Sequence, residues 1–155
     1  MFEILMFLFE NYMDGSVSLK MDNDTIVTEL QRIGFDRYEI DRALDWLEGL
    51  HCFQQTIQSG PNITSQSIRH YVPIEVEALG VAGIEFLTHL ERLSIIDPLT
   101  REVAIDRVMA LDSREVDMGR IKWVILMVLF NQPDKKAALS LLQDMILADA
   151  FDALH

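Results

Sequence analysis

Apolar residues recur at helical spacing along most of the chain. Over residues 2–13, Phe2, Leu5, Phe9 and Tyr12 mark one stripe, and Ile4, Met6, Phe7 and Leu8 widen it until the segment is apolar nearly all round. A helix with so little polar surface has to be buried between other elements, here between the two halves of the chain. Asp14, Gly15 and Ser16 end it, the glycine supplying a left-handed cap. Ile26, Leu30 and Ile33 predict a second helix over 24–33 that stops at Gly34. A third follows at once, with Asp36 placed to cap it and Glu39 three residues on, an aspartate version of the capping box. Its buried stripe is Ile40, Leu44 and Leu47, joined by Ala43, Trp46 and Leu50.

The pattern changes after residue 50. HCFQQTIQ (51–58) and SIRHYV (67–72) are short and β-tolerant, and Ser59, Gly60, Pro61 and Asn62 offer a loop between them. Three helices followed by a β-hairpin are the layout of a winged-helix domain. The stretch TIVTELQRIGFDRYEIDRALDWLEGLHCF resembles the second helix, turn and third helix of that superfamily.

From Pro73 the helical period returns. Pro73 suits the first turn of a short helix that Gly80 ends. Residues 82–93 form the next, with Phe86, Leu87, Leu90 and Leu93 inward. After Asp97 and Pro98, a helix over 99–111 carries Ala104, Val108 and Leu111 with Ile105 and Met109. Asp117 caps a helix over 118–130 whose second half is apolar all round, which places it at the centre of the C-terminal core. A last helix over 134–150 buries Ala138, Leu141, Leu142 and Met145. The expected fold is therefore mostly α: a winged-helix-like N-terminal subdomain (three helices plus a short β-hairpin) over 1–73, packed on a C-terminal helical bundle over 74–155. No long linker separates the two, so they are expected to pack together.

Composition narrows the function. The 155 residues are half apolar and one quarter charged, which is globular and not disordered. Thirteen Lys and Arg against 25 Asp and Glu give a net charge of −12. Such a surface repels phosphate backbones and anionic lipid. The N-terminal segment carries Glu3 and Glu10 and has no basic region, so it fails as a signal peptide. The longest apolar run, 123–130, is far short of the roughly 20 residues of a spanning helix. The expected address is the cytoplasm, with no membrane partner. A single cysteine fits that reduced setting.

Candidate chemistry is sparse. His51, His70, His89 and His155 form no HxH, HExxH or CxxC…H spacing, so no metal site is expected. His89 has the place of a partly buried helix residue. Cys52 would need a base, His51 or His70, to act as a nucleophile; flanked by Leu50 and Phe53 it is expected in the core. Asp41 with Asp45, and Glu102 with Asp106, share helix faces at i, i+4, and Arg37, Arg42, Arg101 and Arg107 lie close enough for surface pairing. No nucleophile elbow, phosphate loop or dinucleotide fingerprint is present. The expectation is a protein without catalytic residues or cofactor.

Four stretches, MFEILMFLFENY, GFDRYEIDRALDWLEGL, TREVAIDRVMALD and IKWVILMVLFNQP, together resemble the bacterial Smg family, in order and over essentially the whole chain. The resemblance implies no catalytic residue and no cofactor to carry over. Function must then be argued from the surface. Over 22–51 there are eight acids (Asp22, Asp24, Glu29, Asp36, Glu39, Asp41, Asp45, Glu48) and three bases (Arg32, Arg37, Arg42). A recognition helix with that balance is repelled wherever it nears phosphates. The expectation is thus a protein–protein adaptor, contacting its partner through Arg37, Asp41, Arg42 and Asp45 on the third helix. The alternative is a nucleic-acid-binding regulator using the helix-turn-helix at 24–50, with Arg37, Arg42, Arg69 and His70 on one side.

Overall fold

The computed structural model describes residues 1–12, 22–59, 69–111, 116–132 and 136–154. In these the chain forms α1 (Phe2–Tyr12), α2 (Asn23–Ile33), α3 (Arg37–Ser59), α4 (Pro73–Arg92), α5 (Pro98–Met109), α6 (Met118–Phe130) and α7 (Lys136–Leu154). No strand occurs among the described residues.

This corrects the winged-helix expectation. Residues 51–59, read as the first strand of a hairpin, are the last turns of α3. The reason is that the apolar stripe of Leu47 and Leu50 runs on to Phe53 without a breaker, and glycine and proline come only at 60 and 61. Thr56 Oγ1 donates to Cys52 O at 3.2 Å, and Gln55 Nε2 meets His51 Nε2 at 3.3 Å, both at i, i+4 as only a helix allows. Residues 69–72 lead into α4 without a ladder partner among the described residues, Val72 being extended at φ −75°, ψ 155°. The remainder of the expected hairpin, 60–68, lies outside the described residues, as do the expected stop at Asp14, Gly15 and Ser16 and His155.

The helix ends follow local chemistry. Gly34, at φ 117°, closes α2 in the left-handed region, its N–H reaching Leu30 O and Gln31 O while Phe35 N also donates to Leu30 O. Asp36 Oδ2 accepts from Tyr38 N at 3.1 Å, so Asp36 does cap α3, through the second helical N–H and not the third that the expected capping box uses. Its other member, Glu39, instead faces the Met1 amino group at 3.8 Å. Asp97 accepts from Thr100 N at 2.7 Å and Asp117 from Arg120 N at 2.9 Å, each before a helix that starts where the sequence placed it. Gly80 does interrupt its helix: at φ 65°, ψ 172° it kinks α4 into two segments. The kink frees the Ala78 carbonyl, which accepts from Val116 N at 3.0 Å and so ties α4 to the approach of α6.

One apolar cluster spans both halves. It takes Ile4, Leu5 and Leu8 from α1, Ile26 and Leu30 from α2, and Ile40, Trp46 and Leu50 from α3. Leu87 and Leu90 of α4, Val103 and Val108 of α5, and Ile121, Val124 and Ile125 of α6 continue it. Helix α1 is the bridge. Its Phe2 ring meets Trp123 of α6 edge-on at 5.0 Å, and Phe9 meets Trp123 at 6.4 Å and Phe130 at 5.4 Å. Trp46 of α3 lies 5.9 Å from Trp123, so three helices converge on one indole. Three residues expected on inward stripes are about half-exposed, Ile33 at the end of α2, Leu93 at the end of α4 and Leu141 on α7. Each is the outer edge of a stripe whose centre, Leu30, Leu90 and Leu142, is buried.

Candidate functional site

Two places gather charge and exposure. The first is the outward face of α3. Its inward face buries Ile40, Ala43, Leu47 and Leu50, which turns residues 37, 38, 41 and 45 outward by helical period. Arg37 Nε bonds both oxygens of Asp41, at 2.9 and 3.1 Å, and the pair is exposed. Asp45 follows one turn on, also exposed. Arg42 is half-buried, with its guanidinium 5.7 Å from the Tyr38 ring. Tyr38 is 67 % exposed, among the most exposed large apolar side chains described. Three of the four residues expected to contact a partner, Arg37, Asp41 and Asp45, therefore share the exposed face, Arg42 is half-buried at its edge, and the exposed Tyr38 beside them was missed. The missed signal was present: an aromatic at position 38 falls outside the stripe of Ile40, Leu44 and Leu47.

The second place is an ion-pair network where α4 and α5 meet. Arg69, just before α4, donates through Nη1 and Nη2 to the two oxygens of Glu75 at 2.8 Å each. The same guanidinium reaches Glu102 on α5 through Nε at 2.6 Å and Nη2 at 3.1 Å. Glu102 also receives Arg101, whose Nη1 goes on to Glu91 at 2.7 Å. Tyr71 covers the Arg69 guanidinium at 4.5 Å. Glu75 further accepts from Val72 N at 3.1 Å, so one carboxylate caps α4 and anchors the network. The side-chain hydrogen bond from Arg69 holds the Glu75 carboxyl below the usual carboxylate range. Bonds to Glu75 and Glu102 raise Arg69, and desolvation raises Tyr71. The sequence showed Glu102 beside Arg101; Arg69, which it offered with Arg37, Arg42 and His70 as a nucleic-acid contact, is instead taken up by Glu75 and Glu102, and it, Glu75 and Glu91 are brought there by tertiary packing alone.

The Glu75 shift sets a pH dependence. Because its folded value is depressed, its contribution is complete above the unfolded carboxyl value and is lost as pH falls through the folded one. The pair is partly solvated, so the contribution is about 1 kcal/mol. Arg69→Gln should lower stability at pH 7 and flatten its fall between neutral and acid pH. Urea titrations of both proteins across that range measure it, and parallel pH profiles would remove the network from the account.

Beside this network lies a cleft of about 320 Å³ between the later turns of α3 and α5, with Phe53, Leu99 and Met109 over the buried Val103 and Ile105. Arg69, Glu75, Glu102 and Asp106 complete its lining. A second cleft, about 360 Å³, lies at the start of α1 between Phe2, Leu111 and Arg120.

The histidines and the cysteine are placed differently from expectation. Cys52 is exposed and not in the core, because α3 continues past it and the helical period turns position 52 away from the buried Leu50. His51, on the same turn, bonds Gln55. His89 is exposed, not partly buried, since Leu87 and Leu90 define the inner face of α4. No group of three or more His, Cys, Asp or Glu with metal-binding geometry occurs among the described residues. No helix among them is long and apolar enough to cross a membrane.

The described residues thus define an all-α protein built round one apolar core, with its shifted titrations drawn into a structural ion-pair network. Comparison with known proteins gives the family. The family model "Protein of unknown function (DUF494)" matches residues 1–155. A "Protein Smg homolog" of Nitrosococcus oceani is 41% identical over 153 residues, covering 99% of this chain and 96% of the relative. The Smg homolog of Colwellia psychrerythraea is 42% identical over 158 residues, covering all of both chains. That of Vibrio cholerae serotype O1 is 39% identical over 161 residues, covering 100% and 99%. The chain belongs to the Smg family. No solved structure matches it.

Proposed function

We propose that this chain is a non-enzymatic adaptor that binds another protein through the outward face of α3. The observation that carries this is Tyr38, 67 % exposed and set between Arg37 and Arg42 on a helix whose other face is buried. Tyrosine and arginine dominate the binding energy of protein interfaces, and a rigid helix presents them without a further ordering cost. The shifted groups support a protein without catalysis, because Arg69, Tyr71, Glu75 and Arg101 are all engaged in one another or in Glu91 and Glu102. On the same face Arg37 is neutralised by Asp41, which leaves little positive charge for a phosphate backbone.

The test is affinity capture of the tagged chain at native level, with half of each lysate treated with nuclease, compared with Arg37→Glu/Arg42→Glu and with Tyr38→Ala. A near-stoichiometric protein should survive nuclease, and each variant should reduce its recovery about tenfold or more. Unchanged recovery in both variants would clear α3 of the role. Partners that vanish with nuclease would establish the nucleic-acid regulator instead.

A further inference from the structure

The cleft between α3 and α5 is lined by one arginine, Arg69, and three carboxylates, Glu75, Glu102 and Asp106, and its two signs of charge are unevenly exposed. The guanidiniums around it are turned into the protein: the side chains of Arg69, Arg101 and Arg107 are 17 %, 13 % and 12 % exposed. The carboxylates they pair with on α5 are not, Glu102 being 44 % exposed and Asp106 46 %. A visitor therefore meets oxygen first and positive charge only behind it. Most of those oxygens are already used. Both oxygens of Glu102 accept from arginine, Oε1 from Arg69 and Arg101 and Oε2 from Arg69. Asp106 differs, because both of its bonds, from Arg107 Nε at 3.0 Å and Nη2 at 2.6 Å, fall on Oδ2. Its Oδ1 keeps its acceptor capacity among the described residues.

Below these carboxylates the lining is apolar. Phe53, Leu99 and Met109 are half-buried and lie over the fully packed Val103 and Ile105. An apolar trough with one open carboxylate oxygen at its edge matches a long cationic side chain, which lays its methylene stem on hydrocarbon and keeps its charge at the polar end. At about 320 Å³ the space exceeds one such side chain and admits an apolar neighbour as well.

We propose that this cleft receives an arginine or lysine and its adjoining apolar residue from an exposed segment of a partner protein, the stem lying along Phe53, Leu99 and Met109 and the cationic head pairing with Asp106. This surface is separate from the face of α3 that carries Arg37 and Tyr38, and does not depend on it. The net charge of −12 adds long-range attraction for such a segment.

The probe is a blocked, fluorescently labelled peptide of roughly eight residues carrying two arginines and two leucines, with counterparts in which glutamate or glutamine replaces arginine. Methyl-labelled methionine in the full chain reports the location, Met109 against Met6 on α1. The arginine peptide should shift Met109 and leave Met6 unmoved, at a Kd of about 1 mM or tighter at low salt. Asp106→Asn, which keeps the side chain's shape, should weaken anisotropy-measured binding about fivefold to tenfold in a protein that stays folded, its melting temperature a few degrees lower from the lost charge pair with Arg107. Met109→Lys, which puts a cation in the trough, should abolish it. Absence of a Met109 shift, an equal response to either counterpart peptide, or full affinity in both variants would overturn the proposal.

Discussion

Alanine in place of Trp123 should lower stability by about 3 kcal/mol, a large share of the 5–15 kcal/mol typical of a domain. The indole joins α1, α3 and α6, since Phe2 and Phe9 meet it edge-on and Trp46 lies tilted at 5.9 Å. Removing it leaves a void that none of these rings can fill without moving its own helix. Helix α1 should suffer most. Residues 2–12 hold few polar contacts of their own, and Phe2 and Phe9 would lose a shared partner. Urea denaturation gives the global effect, and amide hydrogen exchange should show α1 opening far more readily than α5. Trp123→Phe, which keeps an aromatic face, should cost less than half as much. An unchanged urea midpoint for the alanine variant would show that α1 is held by its own aliphatic contacts, Ile4, Leu5 and Leu8, alone.

How much of this was legible in the sequence depends on the range of the interaction concerned. Eight helical stretches followed from apolar spacing, two of them the segments of the kinked α4, and the cap at Asp117 from residues one to three positions away. The end of α3 was not legible. Thr56 and Ile57 carry β propensity, but the stripe from Leu47 through Leu50 to Phe53 outweighs it, because burial and not propensity decides a helix that packs on a core. The exposure of Cys52 follows from the same miss: once the helix continues, its period and not its apolar neighbours sets where position 52 points. Arg37, Asp41 and Asp45 fall on one exposed side of α3 because i, i+4 spacing is local, with Arg42 half-buried beside them. Arg69 and Glu102 stand 33 positions apart, and no pattern in one sequence pairs them.

The contact that locks α3 to α5 belongs to that second kind and carries the other large effect. Trp46 Nε1 donates to Arg107 O at 2.9 Å, while Arg107 Nη1 donates back to Trp46 O at 3.0 Å. The guanidinium also lies 5.8 Å from the Trp46 ring and 5.5 Å from that of Phe53. It can do so because residue 49 is glycine: a Cβ there would overlap Arg107 Nη1 and fall 2.9 Å from Cζ. Arg107→Met, which keeps the stem and loses the charge, should cost about 2–3 kcal/mol from the lost hydrogen bond to Trp46 O, the lost pair with Asp106 and the ring contacts. Gly49→Ala then separates sterics from propensity. In a helix, alanine is better than glycine by about 1 kcal/mol. In the Arg107→Met background that gain should appear in full, whereas in the parent chain the new methyl displaces the guanidinium and should cancel or reverse it. The coupling in this double-mutant cycle should be about 1 kcal/mol or more. Equal gains from Gly49→Ala in both backgrounds would mean that Arg107 moves aside freely, and that the bond from Trp46 Nε1 to Arg107 O, not the packed guanidinium, sets the distance between the helices.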